Sequence, residues 1–326
     1  MDFRPDEDHR TYAATVRRLL DDAAPLKADR AWAAGDPEQG RALWRSLADT
    51  GLTALAVPEE ADGLGWYPPE LASAFLEIGR AGAPGPLVET VAVAAGLGLA
   101  RAAGAGNLPW LPGLLSGELL ATVADPAARH ALDAHVADAA FALAGDGLCL
   151  AIPSDEPVAS VDPARRLVRV TPSERVAPGA ASRVRELATL LTAAQALGAG
   201  RALLDGTVAH AQVRAQFGRP IGSFQAVKHR LSTIAVALEY AEPLLFAAAL
   251  RVRGDEAGTD PRDLPAAKAA CCDAAYAAAR AALQVHGALG YTDEYDLTLL
   301  LRKATALRSA WGTPDACRAT LADASR

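Results

Sequence analysis

The residues with chemistry to offer are few, and none has the spacing of a metal site or of a disulfide framework. Arg214 to Gln225 reads Arg-Ala-Gln-Phe-Gly-Arg-Pro-Ile-Gly-Ser-Phe-Gln, and Gln284 to Tyr291 reads Gln-Val-His-Gly-Ala-Leu-Gly-Tyr. A cation, amides and glycines are residue types that grip a ligand or let the backbone come close to one. The four cysteines, Cys149, Cys271, Cys272 and Cys317, lack paired metal-ligand spacing and read as reduced, buried thiols. The six histidines, among them His210 and His286, form no recognised metal motif. On spacing alone the first run is a well-punctuated turn, with Gly218, Pro220 and Gly222 marking it and Ser223 placed to cap the next helix.

Long helical patterns must position these runs. Leu187, Leu190, Leu191, Leu197 and Leu204 lie on roughly one face before the turn, and Val227, Leu231, Ile234, Leu238 and Leu245 come after it at three- and four-residue steps. The spacing predicts an antiparallel helix pair, with Pro243 kinking or splitting the second helix. An alanine-rich helix is expected from Pro265 to Leu283.

Residues 1–118 read as helices joined by loops: Arg10 to Leu20, Pro37 to Asp49, a helix opened by Pro68 and Pro69, then Val91 to Ala102 and Leu108 to Leu115. Between 119 and 179 the texture changes to short apolar runs, at Leu119 to Val123, Ala139 to Leu143, Leu148 to Ile152 and Leu167 to Val170. Gly145-Asp-Gly separates two of them as a hairpin signal. The expected fold is mainly α with a small β middle domain, divided 1–118, 119–179 and 180–326.

Half the residues are apolar, only 5% are aromatic, and the formal charge is −7 with no basic block. Nucleic acid is therefore not an expected partner. Arg101, Glu118, Arg201, Glu239 and Arg251 interrupt the apolar runs, so no membrane span is expected. The acidic start, Met-Asp-Phe-Arg-Pro-Asp-Glu-Asp, does not read as a signal or transit peptide, which makes the expected location cytoplasmic.

Four stretches resemble the acyl-CoA dehydrogenase family. The run from Arg214 is similar to that family's arginine–phenylalanine–glycine signature, and the run from Gln284 to its Gln-x-x-Gly-Gly-x-Gly-Tyr run. Val57-Pro-Glu-Glu with Asp62-Gly-Leu-Gly-Trp resembles a loop of its N-terminal domain, and Trp110-Leu-Pro-Gly-Leu-Leu-Ser-Gly-Glu-Leu the stretch that closes that domain. The resemblance implies that the turn reaches across a subunit interface and holds the ADP half of a neighbour's FAD. Arg214 would meet the pyrophosphate, Phe217 would pack on the cofactor and Gln225 would hydrogen-bond it. Gln216, Gln284, Gly287 and Ala288 complete the implied contact set, Ala288 standing where the family usually has a second glycine.

The same resemblance exposes deficits. The family removes a proton beside the thioester carbonyl with a glutamate whose pKa is raised in a desolvated pocket. The run that usually carries it, Tyr-Glu-Gly-Thr, is here Ala310-Trp311-Gly312-Thr313, and an indole cannot accept a proton at neutral pH. A second location used by some members falls on Ala188, and the substrate-binding Asp-x-x-Arg pair is replaced by Glu186 and Thr189. Glu294 and Arg302 fit family positions. The Thr-Glu-Pro and Trp-Ile-Thr runs that embrace the flavin ring are not found, and Arg165 and Arg166 with loop prolines occupy the shortened middle region.

The retained and missing residues together resemble the non-catalytic subunit of heteromeric (α2β2) acyl-CoA dehydrogenases. It would complete the FAD site of a catalytic partner, which binds the acyl-CoA, with an electron-transfer flavoprotein as acceptor by family implication. Members of this split kind act on steroid side-chain CoA thioesters. Two alternatives stay open: a self-sufficient flavoenzyme with an unrecognised base, and a FAD-free helical scaffold.

Overall fold

The computed structural model describes residues 7–126, 128, 130–255 and 260–323. The N-terminal helices are α1 (Glu7–Ala23), α2 (Pro25–Ala33), α3 (Glu38–Ala48), α4 (Pro68–Ala81), α5 (Leu87–Ala102) and the single turn α6 (Leu111–Leu115). As expected, Pro68 and Pro69 fill the first turn of α4, where a missing N–H costs nothing, and Gly82 ends it in the left-handed conformation. α5 has almost no polar face and is buried nearly all round, so it is a core helix rather than a surface one.

Five strands come next: β1 (Ala121–Ala124), β2 (His130–Leu132), β3 (Ala139–Ala144), β4 (Gly147–Val158) and β5 (Leu167–Ala177). They form one sheet in the order β1-β3-β4-β5-β2, with β1 parallel to β3 and the other neighbours antiparallel. The Gly145-Asp146 turn joins β3 to β4, as its sequence predicts. β2 had no sequence signal, being three residues long, and β4 runs well beyond its apolar part through Pro153 and Pro157. The strand accommodates those prolines with register shifts, one of them between Pro153 and Pro157.

The C-terminal part holds α7 (Ala181–Val213), α8 (Gln225–Arg253), α9 (Asp263–His286), α10 (Leu297–Leu307) and α11 (Pro314–Asp323). A two-residue pairing of β6 (Ala215–Gln216) with β7 (Arg219–Pro220) forms the elbow between α7 and α8. α7 is the axial helix, and its backbone touches that of α4. A Cβ built on Gly198 would lie 1.9 Å from the Leu76 carbonyl oxygen, and one on Gly79 would lie 2.0 Å from that of Gln195. Only glycine fits at this crossing, which locks the N-terminal helices to the C-terminal bundle. One apolar core runs from Val16 through Phe75, Phe141 and Leu191 to Leu307.

Two local expectations fail. Pro243 does not split α8, which continues through it, with Pro243 and Glu239 one turn before it both exposed. Ser223 does not cap α8. A 3-10 turn over Ile221–Ser223 intervenes, the Ser223 hydroxyl donates to the Pro220 carbonyl at 2.7 Å, and Phe224 takes the cap position. By length and composition α7 and α8 could each cross a membrane despite their charges. Of those stretches, 78% of the one in α7 and 44% of the one in α8 is buried inside the fold.

Candidate functional site

The elbow is built from a strained turn. Phe217 (φ 55°) and Gly218 (φ 77°) both take positive φ between the paired strands, the geometry of the tightest hairpin turns, although phenylalanine is poorly suited to it. The turn leaves the Phe217 ring 92% exposed, anchored only edge-on to Phe224 at 6.2 Å. The Arg219 guanidinium lies over the Phe224 ring, 4.2 Å from its centre, as a cation–π contact. Arg214 directly succeeds the last residue of α7 in an extended conformation, and its carbonyl accepts the Ile221 N–H at 2.8 Å. Gln216 folds back to donate to the Ala215 carbonyl at 2.8 Å, and Gln225 opens α8 with its side chain exposed.

The end of α9 lies against this elbow. The rings of His210 in α7 and His286 in α9 stack with centroids 4.2 Å apart. Buried His286 donates through Nδ1 to the Ala282 carbonyl at 2.8 Å and packs against Tyr295, so it is a core histidine. Burial lowers the pKa of both; for His210 the neighbouring His286 and Arg214 lower it further. The stack thus forms between neutral imidazoles at neutral pH. Gln284, Gly287 and Ala288 are exposed beside it, and Gly287 (φ 59°) has no atom within 4 Å of where a Cβ would stand. A dimple of about 170 Å³ lies among Arg280, Leu283, Gln284, Gly287 and Tyr291. The sequence-predicted contact residues therefore occupy one end of the bundle, in the elbow and at the end of α9.

The second region is a cleft of about 500 Å³ between the sheet and α10, which reaches Trp311. Trp311 sits at φ 52° in the α10–α11 loop, and its indole N–H donates to Glu89 Oε1 at 2.9 Å. Its carbonyl accepts the Thr189 hydroxyl at 3.4 Å, while Ala188 is fully buried and offers neither room nor a proton acceptor. Glu186 is held by the Ser182 hydroxyl at 3.1 Å. The loop is anchored from below by Lys268, itself fully buried, which donates to the Leu307 carbonyl at 3.3 Å and to Cys272 Sγ at 3.0 Å. A cation at the C-terminus of α10 complements the helix dipole there.

Glu89 is the functional candidate that sequence reasoning missed. It is 4% exposed and lines the cleft. The signal was present: it is the sole charged residue between Arg80 and Arg101. Arg165, noted in the sequence only as a charge in the shortened middle region, is buried along the same cleft, and Arg166 donates to the Ala33 carbonyl at 2.7 Å. Exposed Asp293 pairs with Arg302, and Arg30 lies 2.9 Å from exposed Asp296.

Beneath the cleft, a charged pin joins the three parts of the chain. Lys303 of α10 reaches Asp29 of α2 at 2.8 Å, Asp162 before β5 at 3.8 Å, and the Ala83 carbonyl at 3.3 Å. Burial opposes the ammonium, but the two carboxylates outweigh it and lift the Lys303 pKa above the usual lysine value. Nearby Asp133 is fully buried and accepts from the Trp32 indole at 3.2 Å and the Arg166 N–H at 2.9 Å. Burial nonetheless pushes its pKa up to about 7.

Comparison with known proteins agrees with this geometry. The acyl-CoA dehydrogenase N-terminal domain matches residues 6–118 and the acyl-CoA dehydrogenase C-terminal domain matches residues 186–325. The acyl-CoA dehydrogenase IpdE2 of Mycobacterium tuberculosis is 34% identical over 304 residues, spanning 92% of each chain. Among solved structures, the ChsE4-ChsE5 complex from Mycobacterium tuberculosis superposes with a TM-score of 0.84 at 24% identity, covering 99% of this chain and 98% of that one. A variant of the Tcur3481-Tcur3483 steroid ACAD does so with a TM-score of 0.82 at 22% identity, covering 97% of each. On its sequence and on its fold, this chain belongs to the acyl-CoA dehydrogenase family.

Proposed function

We propose that this chain is a non-catalytic subunit of a heteromeric, FAD-dependent acyl-CoA dehydrogenase, and that it completes the FAD site of a catalytic partner. The observation that carries the reading is a division within one molecule. Both positions for a base hold residues unable to take a proton, Trp311 and the buried Ala188, while the elbow projects Arg214 and an almost bare Phe217 outward. Phe217 with Val213, 80% exposed at the end of α7, supports a contact with another chain there. The complexes named in the solved ChsE4-ChsE5 and Tcur3481-Tcur3483 structures support a hetero-oligomer, and the latter supports a steroid-derived acyl group.

The ADP half of FAD fits the residues present. Arg214 has no ion pair among the described residues and is available to the pyrophosphate, and Gly287 leaves an open cradle for close backbone approach. Phe217, Gln216, Gln225, Gln284 and Ala288 complete the contact. The flavin ring fits less well. The cleft mixes donors, among them Arg165, Ser160, Thr305 and Ser309, with the carboxylates of Glu89 and Asp125, so the polar edge of the ring would meet acceptors as well as donors. When bound, FAD supplies the hydride acceptor; this chain contributes binding and orientation. The division at 118/119 and 179/180, a cytoplasmic setting and an electron-transfer flavoprotein as acceptor belong to the same proposal.

One observation favours a second reading, a self-sufficient enzyme. Glu89 is a buried carboxylate 2.9 Å from the Trp311 indole nitrogen, within the cleft. A base that had moved to another helix would look the same. Co-purification separates the two. The chain alone should be colourless and inactive, with flavin and turnover appearing only with the partner. A yellow chain that turns over acyl-CoA alone, and loses turnover in Glu89→Gln, would establish the second reading.

A further inference from the structure

The charge on this protein is strongly segregated. None of its 39 Asp and Glu residues lies between 206 and 238 or between 274 and 292, although the net charge is −7. The basic residues of those stretches are Arg214, Arg219, Lys228, Arg230 and Arg280, and none makes an ion pair among the described residues. The His210–His286 stack holds the two stretches against each other. These five cations therefore have no counter-charge within their own stretches, while Asp293 and Glu294 follow directly on the second of them.

Arg280 is the member of this set that the family resemblance leaves without a role. It lies one helical turn before Gln284, so Arg280 and Gln284 share one exposed stripe of α9, and exposed Gly287 directly follows the helix end. Together with Tyr291, whose ring is 74% exposed, they line the dimple of about 170 Å³. The dimple therefore offers a cation, an amide, an aromatic ring, the Leu283 side chain and, at Gly287, backbone without a Cβ. That combination suits a phosphorylated nucleoside: charge for phosphate, ring for base or ribose, open backbone for close approach.

We propose that Arg280 is a second cationic contact to the shared dinucleotide, acting beside Arg214 so that the nucleotide end is held from two helices. The proposal rests on the cofactor-completing role above, and the test separates them. The complex of this chain with its catalytic partner is stripped of flavin and titrated with FAD, using flavin fluorescence, for the wild type, Arg214→Ala and Arg280→Ala. Subunit association without FAD is measured in parallel by sedimentation. The expected result is a loss of FAD affinity of about tenfold or more in each variant, with apo association unchanged. Arg280 is exposed, so its replacement leaves the fold intact, and a thermal melt checks this. Loss of affinity in Arg214→Ala but not in Arg280→Ala overturns the second contact and leaves the cofactor-completing role standing. No loss in either overturns both. Weakened association of Arg280→Ala without FAD assigns the residue to a protein contact and overturns the proposal.

Discussion

Replacing Lys303 by methionine tests whether the charged pin holds the three parts of the chain together. The side chains of Lys303, Asp29 and Asp162 are 2%, 1% and 1% exposed, so water screens none of them. At an effective dielectric constant of about 20, charges separated by the observed 2.8 and 3.8 Å attract by roughly 6 and 4 kcal/mol. Most of this offsets desolvation, and removing one partner of a buried pair costs about 3–5 kcal/mol in practice, because the stranded charge remains. That is a large part of the ~5–15 kcal/mol that keeps a protein folded. Denaturant unfolding monitored by far-UV circular dichroism should show a much lower midpoint for Lys303→Met at unchanged slope. Adding Asp29→Asn to Lys303→Met should restore about 1–2 kcal/mol, since one orphaned carboxylate is gone. A loss below about 1 kcal/mol for the single variant, or a double variant as poor as the sum of its parts, would refute the pin as a coupled unit.

Three further outcomes are expected. Arg214→Ala in the assembled complex should lower FAD retention on gel filtration, since the loss of a charge-assisted bond to phosphate corresponds to about tenfold or more in affinity; equal retention would remove the residue from the site. Trp311→Glu should not give the isolated chain turnover, because the new carboxylate would face buried Glu89 at the cleft; measurable acyl-CoA oxidation would contradict this. Asp133 binds a proton more readily folded than unfolded, so its contribution to stability is greatest below about pH 4 and is lost as pH rises to about 7, by on the order of 4 kcal/mol. Unfolding midpoints at pH 5 and 7.5 should therefore differ less in Asp133→Asn than in the wild type, and an equal difference in both would exclude Asp133 as the titrating group.

The helices were legible where local chemistry and burial agree. Pro68-Pro69 opened α4, Gly145-Asp146 turned β3 into β4, and the leucine spacing of α7 predicted its buried faces. Legibility failed where tertiary surroundings decide. Whether Pro243 breaks α8 depends on which side of the helix meets solvent, and Ser223 lost its capping role to a 3-10 turn set by Pro220. The elbow residues could be named from a contiguous run. The cleft could not, because Glu89, Arg165 and Trp311 come from separate parts of the chain and meet only after folding. Even so, a lone carboxylate in a core helix whose only other charge is Arg101 in its last turn was a readable mark of something needing a partner.

The bare ring at the tip of the elbow makes solitude costly for this molecule. Phe217 and Val213, 92% and 80% exposed, and Tyr240 on the outer side of α8, 76% exposed, give an unassembled copy an adhesive surface. Such copies would self-associate or be cleared by proteolysis, so on the hetero-oligomeric reading proposed above, synthesis in step with a partner would set how much of the protein persists. Supply, rather than intrinsic folding, then becomes the limiting quantity for any host asked to produce it.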